Sequence, residues 1–425
     1  MDSLLSELEW RGYIYQQSNA EGLSVHLAEG KRVVYCGFDP TADSLTIGNL
    51  VAILLLRHFQ RTGHRPVVVM GGATGLIGDP SGKESERVLR SPDEVERDIA
   101  GQRPIFERLL DFEGNAAARI VNNASWLGRL SFIDALREIG KHFSVNMMIQ
   151  KESVRERLHA REQGISYTEF SYMLLQAYDF AHLYRELGVT MQAAGSDQWG
   201  NVVAGIDLVR RLHRTEVFGL TAPLITRSDG TKFGKTEAGA VWLTRERTSP
   251  YAFYQFWLNT ADDDVERFLK LFTFTSRSEI EELLAEQRRD PGSRGAQRAL
   301  AAHATELVHG KDALSEAEAA THALFSGEVS SLSKASLEEL FANAPSSSHH
   351  KSDLHGEGIS ALELLVQAQV ARSKREAREL LSSGAVSFNG RRVEPDQRVG
   401  PTDLLHDSVL LIRRGKKSWH VTRWR

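Results

Sequence analysis

A single cysteine, Cys36, stands in a chain of 425 residues, so no disulfide can form within it and no cysteine-built metal site is available. That usage fits a reducing compartment, and a cytoplasmic protein is expected. Long apolar runs are also missing. The longest, Leu50 to Leu56, falls far short of the roughly 20 residues that a spanning helix needs, so no contact with a membrane is expected. The opening MDSLLSELEWRGYI has neither a basic start nor an extended apolar stretch, and does not read as a secretion signal. Internal repeats and heptad arrays are absent. Net charge is small too, a formal −4, but it is unevenly spread: residues 370–425 carry +7, which leaves −11 on the rest. A basic end on an acidic body points to a polyanionic partner for that end.

What is present is enough chain for two or more domains. The first half alternates short apolar runs with helical stretches, the pattern of a parallel sheet covered by helices. Strands are expected at 31–38, 65–72, 118–123 and 189–195, and helices at 49–63 and 167–187. In such an open α/β sheet ligands lie at the carboxyl ends of the strands, so chemistry is sought just after Tyr35, Val69 and Ala193. From about 247 to 330 amphipathic helical patterns take over. Residues 343–358, NAPSSSHHKSDLHGEG, have almost no apolar content and read as a flexible linker, with His349, His350 and His355 as solvated side chains rather than metal ligands. The end forms a small α/β unit with helices at 360–369 and 373–382 and strands in AVSFNGRRV and SVLLIRRG. The expected layout is 1–224, 225–342, 343–358 and 359–425.

Three segments carry candidate chemistry. In YCGFDPTADSLTIGNL, residues 35–50, Thr46 to Asn49 open a helix whose unpaired amides suit a phosphate; the same two side chains also serve as plain helix caps. GGATGLIGDPSGK, residues 71–83, packs glycines that let backbone approach a ligand. Its spacing matches neither the dinucleotide fingerprint nor a Walker loop, and a plain glycine-rich loop is the alternative. In ITRSDGTKFGKT, residues 225–236, Lys232 and Lys235 can neutralise a polyphosphate, or lie on a solvated basic loop.

Together these segments, with FSYMLLQAYDF, GSDQWGN and TSPYAFYQFW, resemble the bacterial tyrosyl-tRNA synthetases, a class I aminoacyl-tRNA synthetase family, from about residue 5 to the end. The resemblance implies a Rossmann-like parallel-sheet catalytic domain with a dimerisation insertion, then an all-helical anticodon-side domain, then a C-terminal S4-like RNA-binding domain. It assigns Tyr35, Asp79, Tyr172, Gln176, Asp179 and Gln198 to the tyrosine pocket. Tyr172, Gln176 and Asp179 fall at i, i+4 and i+7 and share a helix face. For ATP it assigns Cys36, Gly37, Asp39, Thr41, Gly48, Gly195, Asp197 and Lys235, and for catalysis Thr41, Thr46, Asn49, Lys232, Lys235 and Thr236. The family's HIGH signature normally begins with His; here Thr46 stands first, and is expected to donate to a phosphate with a changed share of its stabilisation. Cys36 has no activating base in view and is not expected to act as a nucleophile.

The implied reaction joins L-tyrosine to ATP, then passes it to the 3′-terminal adenosine of tRNA(Tyr), with Mg²⁺ arriving on ATP and no protein-held metal. Arg372, Lys374, Arg375 and Arg378 of the basic helix are the expected RNA contacts. GKHFSVNMM, residues 140–148, resembles the family's dimer segment and implies a homodimer, although its apolar residues suit a core equally. A relative that binds RNA without charging it is favoured only by Thr46. The retained pocket residues and the KFGKT loop oppose it.

Overall fold

The computed structural model describes residues 3–81, 89–151, 154–155, 165–231, 233–236, 239–326, 328–342, 344–415 and 418–425. By packing, the chain falls into two units, Met1–His309 and Gly310–Arg425. Among the described residues no helix is long and apolar enough to cross a membrane.

The first unit is built on a six-stranded sheet: β1 Gln16–Gln17, β2 Val33–Phe38, β3 Arg65–Met70, β4 Arg119–Asn122, β5 Val189–Gly195 and β6 Phe218–Ala222, in the order β1-β6-β5-β2-β3-β4. All neighbours run parallel except β1, which pairs antiparallel to β6. β2 to β5 lie where alternation of the sequence places them. β6 was not expected: FGLTA contains a glycine and is short, but all five residues are buried, and burial on both faces overrides weak strand propensity. Since β2 is flanked by β3 on one side and β5 on the other, the connections leave it in opposite directions and open a crevice at its carboxyl end.

Helices close both faces. α1 Ile47–Arg61 buries Leu50, Ile53 and Leu54. α2 Pro92–Leu109 starts from a Ser91/Glu94 capping box, which satisfies two amides that the first turn leaves open. α3 Tyr167–Leu187 is capped by Ser166 and stopped by Gly188 at φ 66°. Its Phe180, fully buried with Tyr35, Val67 and Val189, is worth about 3–5 kcal/mol against alanine. α4 Trp199–His213 follows β5. The chain then forms β7 Lys235–Thr236 and β8 Gly239–Ala240, which pair antiparallel, and four helices, α5 Pro250–Leu258, α6 Asp262–Phe272, α7 Arg277–Arg289 and α8 Gly295–His309. The helical reading of this stretch agrees with the structure.

The second unit contains α9 Lys311–Ser326 and α10 Lys334–Leu340, then β9 Ser346–His349, β10 Ile359–Ser360, α11 Ala361–Gln367, α12 Lys374–Ser382, β11 Val386–Phe388, β12 Arg391–Arg392, β13 Arg398–Val399, β14 Val409–Arg414 and β15 Ser418–Trp424. Its five-stranded sheet runs β12-β11-β14-β15-β9 over a core that includes Leu354, Leu364, Phe388, Leu410 and Trp424. Asn389 and Gly390 turn the β11–β12 hairpin at φ 46° and 84°, the backbone for which Asn-Gly is favoured.

The linker reading of 343–358 is corrected here, residue 343 itself lying outside the described residues. Ser346 to His349 form a strand that pairs parallel with Val421 to Trp424, Leu354 is buried, and His349 stacks on Trp424 at 4.8 Å and 28°. An edge strand is held through its backbone amides, which serine supplies as well as valine does, so low apolar content is no test of it. Nor is His349 solvated: its Nε2 lies 2.8 Å from Ser347 Oγ, and His420 Nε2 lies 2.9 Å from the same oxygen.

Candidate active site

The carboxyl ends of β2 and β5, the start of α1 and one face of α3 enclose a cleft of about 580 Å³. Of the residues expected at the site, Tyr35, Cys36, Gly37, Asp39, Thr41, Thr46, Gly48, Asn49, Asp79, Tyr172, Gln176, Asp179, Gly195, Asp197 and Gln198 all line it. β2 delivers Tyr35 to Phe38 and ends at Asp39, whose carboxylate accepts from Tyr172 Oη at 2.7 Å and Thr74 Oγ1 at 2.7 Å. Gly71 makes that approach feasible, because a Cβ there would collide with the Asp39 carboxylate. The glycine-rich loop thus has a steric reason for its composition.

A second carboxylate is set deeper. Asp179 accepts from Asn123 Nδ2 at 3.0 Å and from Trp126 Nε1 at 2.7 Å. Asn123 is itself fixed, donating also to Thr74 Oγ1 at 3.0 Å and accepting from the Ala73 amide at 2.8 Å. Burial pushes the Asp179 carboxyl up to about 7 against the opposing pull of those two donors, and Asp39 adds a smaller push. Beside it the Tyr35 ring meets Phe180 edge-on at 5.1 Å, and burial, aided by Asp179, raises its hydroxyl well above the usual phenol range. Among the described residues Tyr35 Oη, Gln176 Oε1 and Gln192 Oε1 are buried without a hydrogen-bond partner. Burying polar atoms unpaired costs about 1–3 kcal/mol each, so the wall is built for a ligand that carries matching polar groups.

On the other side Gln198 Nε2 donates to Asp79 Oδ2 at 2.6 Å, and its Oε1 accepts from Asn201 at 3.0 Å. Asp197 is held above the normal carboxylate range by burial, which outweighs its bond from Gln198. Burial, with Asp197 nearby, pushes the Cys36 thiol up to about 12. It stays protonated at neutral pH, in line with the expectation that it is no nucleophile.

Lys232 lies outside the described residues. Lys235 and Thr236 form β7; Lys235 is not among the cleft-lining residues, whereas Phe233 of the same loop is. Phe233 is an anchor: it stacks on Phe272 at 5.2 Å and touches Phe268 at 4.9 Å. Gly234 follows at φ 78°, where a Cβ would come within 2.6 Å of Ile47 Cγ2. Its carbonyl accepts from the Val241 amide at 2.9 Å, and the Val241 carbonyl accepts from the Ile47 amide at 2.9 Å. Gly234 is therefore held against the first turn of α1 through Val241 and Ile47.

Sequence reasoning missed Thr74, Asn123 and Trp126, which orient the two carboxylates, and Lys151. Lys151 Nζ donates to the Gly200 carbonyl at 2.5 Å, and burial lowers its ammonium to about 7 although Asp79 opposes the shift. Thr74 sits inside the glycine-rich segment 71–83 but was not singled out there, and the other three lie outside every signature segment; for Asn123 and Trp126 the NNASW stretch, polar residues just after a strand, is the one hint. Arg372, Lys374, Arg375 and Arg378 are exposed on or just before α12 of the second unit. Arg375 is drawn to Glu379 at 3.5 Å.

Residues 27–326 match a family model described as tRNA synthetases class I (W and Y), and residues 336–422 one described as Tyrosine--tRNA ligase SYY-like C-terminal domain. The chain is 51% identical over 424 residues to the tyrosine–tRNA ligase of Geobacillus kaustophilus (strain HTA426), covering 99% of each chain. To that of Staphylococcus carnosus (strain TM300) it is 47% identical over 427 residues, covering 100% of each. Among solved structures, a C-terminally truncated Aspergillus nidulans mitochondrial tyrosyl-tRNA synthetase superposes with a TM-score of 0.70 at 29% identity, over 76% of this chain and 95% of that one. Tyrosyl-tRNA synthetase from Archaeoglobus fulgidus, complexed with L-tyrosine, gives 0.55 at 16% identity over 73% and 100%, a likeness of fold.

Proposed function

Since this chain belongs to the class I tRNA synthetases and is a tyrosine–tRNA ligase that consumes ATP, we propose how its own residues divide the work. L-tyrosine lies with its phenol toward Tyr35 and Asp179 and its ammonium toward Tyr172, Asp79 and Gln176, with Gln198 near its carboxylate. The observation that carries this is the buried, unpartnered Tyr35 hydroxyl beside an Asp179 carboxylate already aimed by Asn123 and Trp126. Phenylalanine leaves the Tyr35 hydroxyl unpaired and brings no phenol donor to Asp179, the ground on which tyrosyl enzymes in general reject it.

In the first step a tyrosine carboxylate oxygen bonds to the α-phosphorus of ATP while the bond from that phosphorus to the α–β bridging oxygen breaks, releasing pyrophosphate. The nucleophile is ionised at neutral pH, so no general base is required. The work is orientation and stabilisation of phosphate charge, and we assign it to Thr41, Asn49 and the helix-end amides of α1, with Lys232, Lys235 and Thr236 from the KFGKT loop. Gly37, Gly48 and Gly195 let the nucleotide approach the backbone, Cys36 and Asp197 face the ribose, and Asp39 holds Tyr172 in register with both. Magnesium comes with ATP as part of that substrate, and no ion of the protein's own is invoked. In the second step a ribose hydroxyl of the 3′-terminal adenosine of tRNA attacks the adenylate carbonyl and AMP leaves.

The same proposal extends to partners and place. The tRNA backbone runs along Arg372, Lys374, Arg375 and Arg378. Two copies pair through the segment around 132–149, where Phe132, Ile133, Val145 and Met147 are 58–65% exposed, an apolar patch of the kind that marks an interface. The protein works in the cytoplasm. The test is tyrosine-dependent ATP–pyrophosphate exchange with Asp179→Ala alongside wild type. Exchange by wild type and its loss in the variant are expected; equal exchange by both would refute the pocket assignment.

A further inference from the structure

The first position of the signature turn holds Thr46, which was expected to donate to a phosphate. Its hydrogen bonds lead elsewhere. The Thr46 backbone amide donates to Asn49 Oδ1 at 3.0 Å, and Thr46 Oγ1 donates to the same oxygen at 2.9 Å. A backbone N–H can only donate, so the atom facing it must be the carboxamide oxygen, which settles the orientation of the Asn49 amide. A threonine hydroxyl carries a single proton, and here that proton is spent on Asn49. The Asn49 oxygen in turn is occupied by two donors, leaving its NH₂ group on the opposite side, with no protein acceptor among the described residues.

Thr46 is itself held. It bridges to Trp242 across an isolated antiparallel pair, the next amide, that of Ile47, donates to Val241, and the Asn49 amide donates to the Thr46 carbonyl at 2.9 Å. Both side chains line the cleft. The arrangement is therefore a rigid base, Thr46, with a polar arm, Asn49, a cleft-lining residue whose NH₂ has no protein acceptor among the described residues and is left for a ligand in the cleft.

We propose that Thr46 is a positioning residue that acts through Asn49: its hydroxyl aims the Asn49 NH₂ at the ATP phosphates and makes no phosphate contact of its own. Threonine first and asparagine fourth then work as one pair. A shorter first residue suffices because only the fourth touches the substrate. The inference rests on the assignment of this turn to ATP.

Tyrosine-dependent ATP–pyrophosphate exchange on the full chain tests it, with kcat and the two KM values measured for wild type, Thr46→Val, Thr46→Ser, Asn49→Ala, Asn49→Asp and the double variant Thr46→Val/Asn49→Ala. Losing a hydrogen bond to a charged phosphate lowers kcat for Asn49→Ala roughly 10- to 100-fold, and misaiming it in Thr46→Val costs about 3- to 10-fold. Thr46→Ser keeps the hydroxyl and stays within about 2-fold of wild type. The double variant is no slower than Asn49→Ala, because removing the aim of an absent donor changes nothing. KM for tyrosine is unchanged throughout, which separates mispositioning from a damaged fold. Asn49→Asp still accepts from Thr46 but has no NH₂, and falls at least as far as Asn49→Ala whether or not Thr46→Val folds. Multiplying losses in the double variant, wild-type kcat in Thr46→Val, or retained kcat in Asn49→Asp would each overturn the proposal. Absence of exchange by wild type would instead sink the functional assignment beneath it.

Discussion

Replacing Tyr35 by phenylalanine should push stability and activity in opposite directions. The Tyr35 hydroxyl is buried on β2, 1% of the residue being exposed, with no partner among the described residues. Folding strips that hydroxyl of water and returns nothing, at a cost of about 1–3 kcal/mol. Tyr35→Phe deletes the oxygen, keeps the ring against Phe180, and leaves its small void facing the cleft, so little cavity penalty opposes the gain. The expected result is about 1 kcal/mol of added stability in the Met1–His309 unit, or roughly 2 °C in its calorimetric transition for a body of this size. With tyrosine bound the sign reverses. The substrate phenol loses one neutral hydrogen bond worth about 0.5–1.5 kcal/mol, so kcat/KM for tyrosine in pyrophosphate exchange drops roughly 2- to 10-fold while that for phenylalanine does not. Calorimetry of the ligand-free protein and exchange at several tyrosine concentrations read the two arms. A transition lowered by several degrees would show that the hydroxyl is already satisfied in the free protein. An unchanged kcat/KM for tyrosine would show that it never meets the substrate.

Asp179→Asn addresses the charge beside it. The folded chain keeps the Asp179 carboxyl protonated up to about 7, against roughly 3.9 when unfolded, so the folded state holds the extra proton between those values and stability falls as pH rises through that window. Asparagine removes this term, and urea unfolding should show the variant gaining about 2–3 kcal/mol on wild type between pH 5 and pH 8; a pH-independent difference would contradict it. Gly234→Ala forces a side chain into φ 78° and against Ile47, a strain of about 1–2 kcal/mol before the clash is counted. Exchange kcat is expected to fall on the order of 10-fold with KM for tyrosine unchanged, and equal kinetics would show that the loop tolerates undocking. A chain ending at His309 should retain pyrophosphate exchange and lose tRNA charging, whereas loss of both would make the second unit necessary for activation.

The strands β2 to β5 and helices α1 and α3 were legible because short apolar runs alternate with helical stretches, with stops such as Asp39-Pro40 after β2 and Gly188 after α3 marking some of their ends. The pocket residues were named for a different reason, the resemblance to a family, with which the helical spacing of Tyr172, Gln176 and Asp179 agrees; the structure brings all three to the cleft. What sequence hid is whatever depends on partners distant along the chain. Asn123 and Trp126 look like ordinary loop residues until folding sets them 3.0 and 2.7 Å from Asp179. Thr46 was read from its own chemistry as a donor to phosphate, but its proton goes to a neighbour three residues on. The Ser-rich stretch failed in the same way, for a strand held at a sheet edge advertises itself in its partner rather than in its own side chains.

That strand sets a rule for cutting the molecule. β15 is seven residues long and has β14 on one side and β9 on the other. Starting the C-terminal module at residue 350 or 359 would strip β9 away and leave a full row of β15 amides and carbonyls open to any extended chain, including another copy of itself. A fragment meant to stay monomeric must carry its own doorstop, and must begin upstream of Ser346.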